Sequence, residues 1–81
     1  MKTQETPEAR LLKSRRLALG YSQQYVAEAV GIQLRQYQRL EYGEILMSRM
    51  YMRTGLRICR VLQIDPYELV FAGEPVLYIY E

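Results

Sequence analysis

The sequence predicts an all-α domain of five short helices. Apolar residues recur three and four apart in five stretches. Three of these stretches open on a capping Thr, Ser or Asp, and four close on a glycine. Only Val76 to Tyr80 (Val-Leu-Tyr-Ile-Tyr) has the composition of a strand. The expected layout is a polar, frayed tail over residues 1–5, a helical domain over 6–73, and a tail over 74–81 with room for a short C-terminal strand.

The first helix follows from Thr6-Pro7-Glu8. Thr6 caps, Pro7 suits the first helical position, and Glu8 complements the positive end of the dipole. Leu12 and Leu19 lie on one stripe, and Gly20 provides the stop. Ser22 caps a second helix, Gln23 to Val30, with Val26, Ala27 and Val30 on its apolar face. Gly31 ends it. After Ile32 a third helix runs from Gln33 to about Tyr42, with Tyr37 and Leu40 inward and Gly43 at its close.

Residues 44–50 form an unusually apolar connector. A fourth helix from about Met52 to Leu62 has Leu56, Ile58, Cys59 and Leu62 as core candidates, with Arg53, Arg57 and Arg60 opposite. Gly55 within it costs roughly 1 kcal/mol against alanine, which points to a close neighbour. In the fifth helix Asp65 caps, Pro66 takes the first position and Glu68 completes a capping box. That helix ends before Gly73.

Composition narrows the function. Hydrophobic residues make up 49% and charged residues 25%, as in globular domains and unlike disordered chains. With no histidine and one cysteine, zinc clusters, internal disulfides and imidazole acid–base catalysis are unavailable. The sequence offers no nucleophile–base pair, metal cluster or phosphate loop, so an enzyme, a cofactor, a metal and a small-molecule ligand are not expected. Cys59 reads as a small core residue. No apolar run approaches the roughly 18 residues that span a bilayer. The N-terminus lacks the apolar core of a signal peptide, and a cytoplasmic location is the expectation.

The net charge of +2 conceals an asymmetry. Residues 10–60 hold ten of the eleven basic side chains against Glu28, Glu41 and Glu44, a net +7; the ends hold Lys2 against six acids, a net −5. A basic middle suits a polyanion.

Two short helices joined by a glycine-containing turn form the central organisation. Gly20-Tyr21-Ser22-Gln23, Val26-Ala27, Gly31-Ile32, Leu40-Glu41 and Gly43 follow in order. This series resembles the phage-repressor and Cro-like helix-turn-helix regulators. Their usual signature runs Gly-Leu-Ser-Gln, two residues, Leu-Ala, three residues, Gly-Val, then Ile-Glu-Asn-Gly. Val61 to Leu69 is similar to the family's Ala-Leu-Gly-Val-Asp-Pro-Glu-Leu ending, so the resemblance covers about residues 10 to 70.

The resemblance implies a compact five-helix repressor-like fold and a sequence-specific regulator, a repressor in type, that reads double-stranded DNA with the third helix. It places Gln33, Leu34, Arg35 and Arg39 against base edges. Arg35 and Arg39 can pair bidentately with guanine, Gln33 can read adenine, and Leu34 can cover a thymine methyl. Gln23, Gln36, Tyr42 and Arg49 are the candidate phosphate contacts. Leu34 and Tyr42 depart from the polar residues usual at their positions. Arg16 and Glu41 stand where relatives pair the first helix with the end of the reading helix.

Family members commonly bind two half-sites as a homodimer. Two segments offer an interface: the cluster Ile45, Leu46, Met47, Met50 and Met52, and the strand-like tail. A different use of the same fold is a protein–protein interaction module, such as an antitoxin-like or accessory partner, with little or no DNA binding. Eight tyrosines, Leu34 and the apolar tail favour it.

Overall fold

The computed structural model describes residues 6–72. It contains α1 (Pro7–Leu19), α2 (Gln23–Val30), α3 (Leu34–Glu41), a 3-10 turn (Met47–Arg49), α4 (Met52–Leu62) and α5 (Pro66–Val70). The described residues are all-helical, with five α-helices and no strand, as the capping pattern predicts. Residues 1–5 and the strand-like segment 76–80 lie outside them.

The caps set the helix starts. Thr6 Oγ1 accepts from the Ala9 N–H at 3.0 Å, Ser22 Oγ from Tyr25 at 2.9 Å, and Asp65 Oδ1 from Tyr67 at 2.9 Å. Each satisfies a donor that the first turn leaves unpaired. Between α2 and α3 the chain must reverse within three residues. Gly31 makes this possible at φ 89°, and its N–H bonds back to the Ala27 carbonyl. α4 ends differently. Its cap is Gln63 at φ 57°, ψ 47°, a left-handed conformation adopted without glycine. At that end Arg15 Nε donates to the Leu62 carbonyl at 3.3 Å, occupying an acceptor the helix cannot satisfy itself.

The core forms where α3 and α4 pack on α2 and α1 closes against α3 and α4. Leu12, Val26, Ala27, Tyr37, Leu40, Ile58, Leu62 and Leu69 are buried, and Ile32, Leu19 and Ile45 pack on their edge. Ala27 is wholly enclosed, in keeping with a small residue where helices meet closely.

Leu56 departs from its expected place. It is 48% exposed, because the inward stripe of α4 is Ile58, Cys59 and Leu62, and Leu56 lies to one side of that stripe. The connector divides as well. Met47 is buried and Ile45 and Met50 pack against the core, whereas Leu46 and Met52 stay exposed. Met47 Cε sits 3.7 Å from where a Cβ on Gly55 would lie, an ordinary contact distance and not a crowded one.

The inner face of α1 is half polar: Glu8 and Arg16 are buried beside Ala9 and Leu12. Glu8 Oε1 accepts from the Met47 N–H at 2.6 Å, fastening the start of the 3-10 turn to α1.

Candidate nucleic-acid interface

The arrangement of α2 and α3 follows from which face of α3 is inward. Tyr37, Leu40 and Glu41 are buried, and Leu34 and Gln38 are half-buried on the same side. Residues three, four and seven apart share a helix face, so packing dictates what turns outward. Gln33, Arg35, Gln36 and Arg39 are exposed. Gln33 is the N-cap, and its side chain makes no capping hydrogen bond.

Three candidate readers, Gln33, Arg35 and Arg39, are thus exposed at the N-cap and along α3, with Arg35 and Arg39 one turn apart. Leu34 differs. It is half-buried and packs against the core, so only part of it remains to face a ligand. Arg39 keeps 48% of its side chain exposed and donates from Nε to Glu44 Oε1 at 3.3 Å. The carboxylate holds the arginine stem near one orientation while the other guanidinium nitrogens stay available as donors.

The candidate phosphate contacts are more scattered. Gln36 and Arg49 are exposed, and Tyr42 is half-buried as the C-cap of α3. The Gln23 side chain faces the protein: Nε2 donates to Glu41 Oε1 at 3.1 Å, and Oε1 accepts from Gln38 Nε2 at 3.1 Å. Gln23 therefore ties the start of α2 to α3. What it can offer a phosphate is the positive end of α2.

Glu41 organises the buried polar centre. The Arg16 guanidinium donates through Nε to Oε2 at 2.5 Å and through Nη2 to Oε1 at 3.1 Å. The Tyr37 hydroxyl donates to Oε2 at 2.5 Å, and Arg16 Nη1 donates to the Tyr21 carbonyl at 3.0 Å. Burial alone pushes the Glu41 carboxyl upward, but hydrogen bonds from Arg16, Tyr37 and Gln23 outweigh it and hold the group below the usual carboxylate range. The bond to Glu41 raises Arg16 despite burial. Burial, reinforced by the neighbouring carboxylate, drives Tyr37 well above an ordinary phenol.

Sequence reasoning assigned Tyr37 to the apolar core and Gln23 to the surface. Tyr37 lies four residues before Glu41 on one helical face, a spacing that signals their contact. For Gln23 the signal is weaker, since its partners lie 15 and 18 residues away.

Nothing in this region suits a metal: among the described residues no group of three or more Asp, Glu, Cys or His could hold one. No helix among them is long and apolar enough to cross a membrane.

Two helices joined across Gly31, with the inner face of α3 fixed and Arg35 and Arg39 exposed on α3, have the form of a DNA-reading unit. Residues 12–49 match the family model described as helix-turn-helix. The segment is a helix-turn-helix of the phage-repressor/Cro-like family. The match takes in most of α1, all of α2 and α3, and the 3-10 turn; α4 and α5 lie outside it. No curated protein and no solved structure gives a significant match. The matched segment supports a DNA-binding helix-turn-helix regulator.

Proposed function

We propose that the chain is a sequence-specific transcriptional repressor that lays the start of α3 in the major groove of double-stranded DNA. The observation that carries this reading is the division of α3. Its inner face is bound to α1 and α2 through Glu41, while Gln33 at its N-cap and Arg35 and Arg39, one turn apart, are exposed.

Arg35 and Arg39, one turn apart, each offer a fork of donors to guanine O6 and N7, and Gln33 offers an amide to adenine. The exposed edge of Leu34 covers a thymine methyl. Gln36, Tyr42, Arg49 and the N-terminus of α2 beside Gln23 hold phosphates and set the register. One short helix reads few base pairs, so two copies act as a homodimer on half-sites about 34 Å apart. The regulator needs no cofactor, performs no catalysis and works in the cytoplasm.

Selection of bound duplexes from a random pool, followed by a salt titration of the best one, tests this. The expected result is a short two-fold symmetric site whose affinity falls steeply with salt. Failure to enrich any sequence, with no duplex binding at low salt, would instead favour a protein-interaction role for the same fold.

A further inference from the structure

We propose that the chain's own tail, Val76 to Tyr80, seats in an apolar groove between the 3-10 turn, α4 and α5. The groove has a volume of about 420 Å³, and no charged residue lines it. Met50, Tyr51, Met52, Leu56, Tyr67 and Phe71 supply much of its wall. Tyr51 is 86% exposed, Met52 78% and Tyr67 76%. That is a large concentration of bare apolar surface for so small a domain, and such patches mark places where something binds.

The occupant follows from where the chain goes next. Val70 and Phe71 are themselves part of the wall, and the described chain ends one residue later, at Ala72. The continuation therefore starts at the mouth of the groove. Gly73-Glu74-Pro75 spans at most about 10 Å, enough for a reversal but too little to carry the tail to a distant surface. The five residues after it are uncharged and apolar or aromatic, bracketed by Glu74 and Glu81.

An uncharged segment matches an uncharged groove, and the flanking carboxylates remain in water. Extended, the segment covers about 17 Å and alternates its side chains. Leu77 and Ile79 then point into the groove, while Val76, Tyr78 and Tyr80 form the outer face with both hydroxyls hydrated. A tether of three residues holds the tail near its own groove at an effective concentration in the mM range, which a second copy does not reach in dilute solution.

The chain's one cysteine reports on this directly, because Cys59 lines the groove. Five full-length variants, V76C, L77C, Y78C, I79C and Y80C, are each exposed to oxidised glutathione without DNA. The expected result is loss of both thiols at alternate positions, in a product with the mass of one copy. Disulfides demand closely matched Cβ positions, so an extended, seated tail yields this two-residue rhythm. Bonds formed only between copies would overturn the proposal in favour of a second copy's tail. Equal bonding at all five positions, or none at any, would also overturn it.

Discussion

The Arg16 guanidinium grips both oxygens of the Glu41 carboxylate, and the pair spans 25 residues to join α1 to the last residue of α3. Its position matters more than its energy. A buried pair adds little net stability over apolar residues of similar size, but losing one partner strands the other. Here the loss of Glu41 would also deprive Tyr37 and Gln23 of their acceptor. Glu41→Ala is expected to cost roughly 3–5 kcal/mol in urea unfolding. A change near zero would show that the carboxylate neither holds Arg16 nor orients α3.

Acid should act through the same group. The Glu41 carboxyl titrates lower in the folded chain than in the unfolded one. Its contribution is therefore complete above the unfolded value, about 4.3. It is lost as pH falls through the lower, folded value, because the unfolded chain takes up the proton first. Glu41→Gln cannot make this exchange. Unfolding free energies measured down the acid range should show the gap between wild type and Glu41→Gln closing as pH drops below the ordinary glutamate range. A gap that stays constant would mean that Glu41 does not titrate below that range.

Much of this fold was legible because its signals are local. Thr6, Ser22 and Asp65 cap where they were expected to, and Gly20 and Gly31 stop their helices. The resemblance assigned Gln33, Leu34, Arg35 and Arg39 to the reading face, and of these Gln33, Arg35 and Arg39 are exposed. What escaped the sequence depends on partners distant along the chain. Glu8 suits the first turn of any helix, and nothing nearby reveals that it anchors Met47, 39 residues on. α4 has no side-chain cap to fix its phase, so periodicity admitted Leu56 to the core when the groove side was equally consistent. Leu34 read as a base-facing residue by its place in the motif, but an apolar side chain beside a core edge gains more from packing than from exposure.

The end of α4 carries a backbone strain that one substitution can relieve. Gln63 holds φ 57° and ψ 47°, where its Cβ crowds the following carbonyl. Its side chain is exposed, so replacing it sacrifices little packing. Gln63→Gly is expected to stabilise the fold by about 1 kcal/mol, the left-handed penalty less the added freedom of the unfolded chain. Thermal and urea unfolding of the two proteins would check it; a lower midpoint would show that the glutamine side chain holds the cap.

The proposed readers can be told apart from the positioning residues by how their loss depends on DNA sequence. Arg35 and Arg39 lie on the outer face of α3, and Arg39 is steadied by Glu44. Arg35→Ala and Arg39→Ala are each expected to cost roughly 1–3 kcal/mol of binding to the selected site and to relax preference at one base pair. Gln23→Ala should weaken binding to all duplexes about equally, because its side chain touches Glu41 and Gln38 and not the outer face. Competition binding against singly substituted sites measures both patterns. If the arginine variants lost affinity uniformly, like Gln23→Ala, both arginines would be phosphate contacts and the base-reading residues would lie elsewhere.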